Sequence, residues 1–254
     1  MTNPAQGRAL GVDVGGSAIK GAVVDLSTGE FVGQQITITT PRPATPDAVA
    51  QAIAQLGQRA KWEGPVGVAL PSVIKGQVAL TAANVDPAWV GTNAHELLSR
   101  HLRTTEISVL NDADAAGLAE VAFGEASIRE GAVLFLTFGT GIGSAFFING
   151  TLFPNTELGH MMIGGAEAEH QASSAAKDRM GLSFRAWAER VDVVLQEFER
   201  LFNPTAFVVG GGISEVADRW VPHLDTSTPV VVAKLRNRAG IVGAAMASAE
   251  HLNP

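Results

Sequence analysis

Two stretches of the chain set a glycine-rich turn between two apolar runs, and they limit the possible folds more than any other feature. The first is LGVDVGGSAIKGAVVD, residues 10–25; the second is GAVLFLTFGTGIGSAFFING, residues 131–150. The second runs for twenty positions without a charge, long enough to suggest a membrane helix. Gly139, Gly141 and Gly143 crowd its centre, and a helix would lose about 1 kcal/mol per glycine relative to alanine. Two buried strands around a tight turn fit the same residues well. Both stretches therefore read as strand, turn, strand, and the second is not expected to span a membrane.

Between and after these hairpins the pattern alternates. Strands are expected at 8–14, 19–25 and 31–39, a helix over 46–60, a strand from 66, a helix from 93 and a strand from 107. The pattern then restarts with a helix over 112–123, the second hairpin, a strand near 152, a helix over 181–202, a strand from 206, a strand over 229–233 and a helix from about 239. With 46% hydrophobic and 17% charged residues, such a chain is a compact globular protein. Two successive β-hairpin-plus-helix units imply an α/β pair of lobes with a cleft between them. The small lobe is expected to comprise residues 1–113 with the C-terminal helix 240–254, and the large lobe 114–239.

Charge and cysteine content exclude several function classes. With 25 acidic against 18 basic residues the net charge is −7, which argues against a broad footprint for nucleic acid, so any polyanion must be met locally. The chain has no cysteine, which excludes disulfides, thiolate zinc sites and a cysteine nucleophile. The opening MTNPAQGRAL has no apolar core of a signal peptide, so a cytoplasmic location is expected.

The glycine turns match neither common nucleotide loop. DVGGSAIK lacks the Walker spacing, and neither GTGIGS nor GGGISE completes the dinucleotide fingerprint. A two-strand turn remains, in which Gly15 and Gly16 permit positive φ and let amides point at a phosphate, with Asp13 holding Mg²⁺, through water. The alternative is a hairpin turn with a charged rim. FGTGIG at 138–143 and VVGGGIS at 208–214 add two more such turns, for which tight strand packing is the competing account. VLNDADAAG sets Asn111 and Asp112 after a buried strand, where an apolar environment favours proton acceptance by a carboxylate with a raised pKa; Asp112 is the candidate general base. Asn84, Glu157, His160 and Glu169 supply the directional donors and acceptors that sugar hydroxyls require. The two asparagines could equally be turn or cap residues, and His160 a surface or satisfied core histidine. Lys20, Lys75, Lys234, Arg236 and Arg238 could form a basic track for a phosphate chain, although the last three could also be a solvated turn at a helix start.

Taken in order, GVDVGGSAIKGAVVD, TAANVDPAWVGT, NDADAA, FGTGIGSA, NTELGH, VVGGGIS and NRAGIVGAA resemble the ROK family of sugar kinases, and within it the actinobacterial polyphosphate glucokinases, from about residue 8 to 250. The resemblance implies an actin-like, ribonuclease-H-like fold. It implies transfer of a terminal phosphoryl group from polyphosphate, with ATP as a candidate second donor, to the 6-hydroxyl of glucose and possible use of mannose. Asp112 matches the catalytic base, and Asn84, Asn111, Glu157, His160 and, less directly, Glu169 match sugar ligands. The donor set is Asp13, Gly15, Gly16, Ser17, Lys20, Gly139, Thr140 and Gly141, with Gly210, Gly211 and Gly212 along the donor's tail. In zinc-bearing members the histidine matching His160 also binds metal with cysteines that this chain lacks, so no zinc is expected and packing alone should hold His160. Ser72 stands where the family usually has glycine, in a loop expected near the sugar. A homodimer is expected, as similar proteins are commonly dimers. Rival readings are a strictly ATP-dependent hexokinase of this fold, a non-catalytic sugar-binding module, and a sugar-responsive repressor. The last would need a DNA-binding segment before the first strand, where only about seven residues stand. The module would be expected to lack Asp112 or Asp13.

Overall fold

The structure, a computed structural model, describes residues 7–252. They form two compact units, one running to Ala119 and resuming at Arg238, the other comprising Glu120–Asn237. The first division falls within a helix, α3 (Asp112–Phe123), rather than at its start, where the sequence places the change of pattern.

The first unit is built on a six-stranded sheet. Strands β1 (Arg8–Val14) and β2 (Ala18–Asp25) form the first hairpin, with Asp13 opposite Lys20. β3 (Glu30–Phe31) and β4 (Ile36–Thr39) both pair with β2, at different parts of its length. The single strand expected over 31–39 is thus two, separated where the polar residues 33–35 begin at Gly33 with φ +93°. After α1 (Pro46–Ala60), β5 (Val66–Leu70) pairs parallel to β1. A small ribbon, β6 (Ile74–Lys75) with β7 (Val78–Ala79), and α2 (Ala94–His101) precede β8 (Ile107–Asn111), which pairs parallel to β5. Both β5 and β8 are buried at every position, the mark of parallel strands covered on both faces. Thr45 starts α1 by accepting the Ala48 amide, with proline next in line, and turns Val49, Ile53 and Leu56 inward.

The second unit repeats the strand order. β9 (Ala132–Phe138), β10 (Ile142–Ile148) and β11 (Thr151–Phe153) run antiparallel, and β14 (Ala206–Gly210) with β15 (Val230–Val232) continue parallel on the far side of β9. The order β11-β10-β9-β14-β15 corresponds to β3-β2-β1-β5-β8. Between the halves lie the ribbon β12 (Met162–Ile163) with β13 (Ala166–Glu167) and the helices α4 (Ala168–Ala172), α5 (Ser174–Arg179) and α6 (Phe184–Phe202). The α6 helix starts at Phe184 rather than near 181, because Gly181 has φ +61° and the Ser183 hydroxyl caps the first turn through the Ala186 amide. Trp187 and Trp220 pack around Phe138 in the core, with ring centroids 5.9 and 5.8 Å away. Residues 131–150 are β9, turn and β10, and among the described residues no helix is long and apolar enough to cross a membrane.

The last helix, α7 (Ala239–Ala249), completes the first unit and is buried along almost its whole length. It is made of small residues, and it meets its neighbours backbone to backbone. A Cβ at Gly11 of β1 would overlap the Ile241 carbonyl, one at Gly67 of β5 the Ala244 carbonyl, and one at Gly243 the Ala115 carbonyl of α3. Backbone cannot retreat as a flexible side chain can, so Gly67→Ala is expected to lower stability by about 3 kcal/mol or more. A denaturant titration with an unchanged midpoint would contradict this packing.

Candidate active site

In the first unit the candidate residues gather at the carboxyl ends of the parallel strands, where α/β sheets present ligand sites. Asp13, near the end of β1, pairs with Ala69 of β5, and the following Leu70 pairs with Asn111 of β8. Asp13 and Asn111 thus lie two strand spacings apart, about 10 Å. Asn111 is buried and caps α3: its Oδ1 accepts the amides of Ala113 and Asp114 at 2.8 and 3.2 Å, while Nδ2 donates to the Ser72 carbonyl at 3.2 Å. The cap reading of Asn111 therefore holds in the structure. Asp112 opens α3, with Oδ1 accepting the Ala113 amide at 2.9 Å, and the positive end of the helix suits an acid in its first turn. Ser72 is buried, and its hydroxyl donates to the Thr81 carbonyl at 2.7 Å, so it joins the 81–84 loop to the Asn111 cap.

The first glycine turn is closed by Gly15 donating to the Ala18 carbonyl at 3.0 Å and pinned by the Thr40 hydroxyl donating to the Gly15 carbonyl at 2.6 Å. Gly16 and Ser17 are exposed. Asn84, exposed and at φ +59°, lies against Gly16, where a Cβ would come within 3.3 Å of its own. Asp13 sits beside Gly240 in the first turn of α7, where a Cβ would stand 3.2 Å from the Asp13 carboxyl carbon. Burial pushes the Asp13 carboxyl above its usual range, and the Lys20 ammonium across the hairpin only partly offsets this. A desolvated carboxylate with one nearby cation fits Mg²⁺, which binds through one or two carboxylates and keeps its waters.

In the second unit β9 ends at the 139–141 turn and β14 at the 210–212 turn, and Gly210 pairs with Thr137, so these two glycine clusters are neighbours. Gly211, at φ +80°, packs on Phe138 backbone atoms. A Cβ at Gly139 or Gly212 would meet nothing within 4 Å, so backbone at both positions borders open space. Gly141 has a different reason to be glycine: a Cβ there would overlap Glu169, whose Oε2 accepts the Ile142 amide at 3.2 Å. Glu169 thus braces the second turn.

Glu157 precedes and His160 ends a 3-10 turn, Leu158–His160, held to β10 by Ser144. The Ser144 hydroxyl donates to the Thr156 carbonyl at 2.7 Å and accepts the Leu158 amide at 3.0 Å. His160 is held by carboxylates, not by packing alone as the sequence suggested. Its Nδ1 lies 3.1 Å from Glu167 and 3.9 Å from Glu169, and its Nε2 is 3.7 Å from Glu157. The bond to Glu167, with Glu169 and Glu157 beside it, raises the His160 pKa above 6.5. Burial raises Glu157, His160 lowers it in part, and the Glu169 charge adds to the rise. Glu167, Ser144 and Thr156 escaped sequence analysis. Only the proximity of Glu167 to NTELGH along the chain hinted at the first, and a serine inside an apolar strand hinted at the second.

The basic residues are unevenly engaged. Lys234 lies 2.7 Å from Glu125, and Arg238 lies 2.6 Å from Glu30; Lys75 and Arg236 are exposed. Residues 236–238 form a short 3-10 turn leading into α7.

Two outcomes follow from these charges. The raised pKa of His160 means that its ion pairs contribute stability that is full below about 6.5 and is lost as pH rises through the folded-state value. Histidine NMR should show His160 titrating above 6.5 and moving down in Glu167→Gln; an unmoved titration would disprove the pairing. For Asp13 the charged form is the costly one, so the penalty is absent below 3.8 and grows as pH rises through the raised folded-state value. Asp13→Asn should therefore raise the melting temperature of the ligand-free protein at neutral pH; a lowered one would refute the penalty.

Residues 9–175 match the model of the ROK family. The chain is 52% identical to polyphosphate glucokinase of Mycobacterium tuberculosis strain H37Rv over 243 residues, covering 96% of this chain and 92% of that protein. The crystal structure of inorganic polyphosphate/ATP-glucomannokinase from Arthrobacter sp. strain KM superposes with a TM-score of 0.89 at 44% identity, covering 96% of this chain and 99% of that one. A ROK family glucokinase from Streptomyces griseus, in complex with glucose and AMPPNP, follows with a TM-score of 0.81 at 25% identity, over 96% and 100% of the two chains. The repeated mixed sheet is the actin-like fold of these kinases, and the chain belongs to the ROK family.

Proposed function

We propose that the protein transfers the terminal phosphoryl group of inorganic polyphosphate to the 6-hydroxyl of glucose, with ATP as a second donor. The observation that carries this reading is the identity with polyphosphate glucokinase sustained over nearly the whole of both chains. Asp112, at the head of α3, takes the proton of the 6-hydroxyl as its oxygen attacks the terminal phosphorus. The bond from that phosphorus to the bridging oxygen breaks, releasing ADP or a polyphosphate shorter by one residue. Asn84, Asn111, Glu157, His160 and Glu169 are assigned to the sugar hydroxyls. Amides around Gly15, Gly16 and Ser17, and around Gly139, Thr140 and Gly141, are assigned to the donor phosphates, with Lys20 beside the first turn and Gly210, Gly211 and Gly212 along the donor's tail. Asp13 would hold Mg²⁺, which when bound spreads the charge of the donor phosphates. Such a site works mainly by positioning.

No zinc is part of this proposal, because the chain has no cysteine to complete the thiolate site of the zinc-bearing members. Mannose as a second acceptor, a homodimeric state and a cytoplasmic location extend the proposal on family likeness alone. One observation favours the strictly ATP-dependent reading: Lys234 and Arg238, two members of the expected basic track, are already paired with carboxylates.

The decisive assay is the initial rate of glucose 6-phosphate formation with Mg²⁺ and either polyphosphate or ATP as sole donor. Turnover with polyphosphate is expected, and turnover with ATP alone would establish the second reading. In Asp112→Asn, kcat should fall by about a thousandfold, while glucose affinity by calorimetry stays within a few-fold. Substantial residual turnover would remove Asp112 from the role of base.

A further inference from the structure

The three cations of segment 234–238 are in different states. Lys234 is engaged by Glu125 at 2.7 Å. Arg238 forks onto both oxygens of Glu30, at 2.6 and 3.3 Å, with its guanidinium 5.6 Å from the Phe31 ring centre. Arg236 is exposed, and among the described residues no carboxylate pairs with it.

The backbone beneath Arg236 is held in place. Its φ is +50°, a left-handed conformation that a non-glycine residue keeps only where its surroundings impose it. Here the surroundings are the buried Glu120 carboxylate on α3, which accepts the Lys234 and Leu235 amides at 3.0 and 2.7 Å and bonds the Arg236 amide as well. A buried carboxylate engaged by three successive amides fixes the chain up to and including Arg236. Three residues before it, the Ala233 amide donates to the Val209 carbonyl at 3.0 Å, next to Gly210 at the end of β14. Three residues span at most about 11 Å, so Arg236 is tethered within reach of the glycines assigned to the donor's tail.

We propose that Arg236 is a contact for the polyphosphate chain and sets the preference for polyphosphate over ATP, with Glu120 as the residue that positions it. The inference rests on the phosphotransfer reading above and adds to it the group that tells the two donors apart. A guanidinium pairs with phosphate oxygens through two parallel hydrogen bonds. Polyphosphate carries anionic oxygens along its whole length, whereas ATP gives way to an uncharged nucleoside beyond its third phosphate. A cation set beyond the terminal phosphates therefore favours the longer anion.

The test is steady-state kinetics of the wild type, Arg236→Ala and Arg236→Lys with long-chain polyphosphate and with ATP, alongside the melting temperature of each. Alanine at this exposed position keeps the backbone requirement unchanged, so folding should be preserved. Arg236→Ala is expected to raise KM for polyphosphate by roughly fivefold to tenfold, leave KM for ATP within twofold and leave kcat with ATP unchanged, with lysine intermediate. Glu120→Gln should shift the same ratio in the same direction. An unchanged ratio of the two KM values in Arg236→Ala, or an equal rise with both donors, would overturn the assignment. A wild type that uses ATP but not polyphosphate would overturn the phosphotransfer reading itself, and this inference with it.

Discussion

The contact on which the first unit depends is that of α7 with the strands beneath it. Glycines at Gly11 and Gly67 let the helix backbone rest directly on β1 and β5, and Gly243 lets α3 close against it from another side. Side chains normally separate helix from sheet by about 10 Å, and their removal draws the elements together at the cost of tolerance. Because β1 carries Asp13 and α3 carries Asp112, one packing event fixes both the acid assigned to the metal and the candidate base. The helix that does this arrives after the whole second unit has been traversed, so the faces of β1 and β5 stay uncovered until the last part of the chain joins them.

The duplicated strand order gives the same local solution twice, with different chemistry. In each unit the hairpin leaves its turn at the end of the central strand, beside the end of the next parallel strand. In the first, that neighbourhood holds acids and asparagines, namely Asp13, Asn84, Asn111 and Asp112. In the second it holds bare glycine backbone, Gly139 and Gly212 with open space beside them. Glu169 shows how the two demands meet: it braces the second turn through the Ile142 amide and stands 3.9 Å from His160. Moving one such side chain would therefore disturb both a candidate phosphate loop and a candidate sugar ligand.

The hairpins, the long helices and the buried parallel strands were readable from sequence because period and turn chemistry agree in those segments. Residues 31–39 were misread because alternation across Gly33 suggests continuity, while β2 has room for two short partners at different heights. The helices α4 and α5 were missed because five and six residues carry too little periodicity. Of the site, the groups that chemistry marks by type stood out: Asp112, Asn111, the glycines. What stayed hidden was support from afar. Glu120 reaches amides more than a hundred residues away, and Ser144 acts as a polar tie within an apolar strand. Glu167 replaces packing as the partner of His160. None of these has a local pattern, since each is defined by its partner rather than by its neighbours in sequence.

Net charge and local charge tell different stories in this chain, and their difference bears on how it handles an anionic donor. At −7 the molecule as a whole repels polyphosphate, so long-range attraction cannot gather the substrate, and recognition must be made at short range. Two of the cations that could do this, Lys234 and Arg238, are held by carboxylates, and an exposed pair leaves little field beyond it. The groups proposed for this are amides at the glycine turns, fixed by backbone geometry before any ligand arrives, and the Arg236 side chain on a backbone that Glu120 holds in place. Preorganised donors lose little freedom on binding, which lets an acidic protein hold a polyanion by position where it cannot do so by total charge.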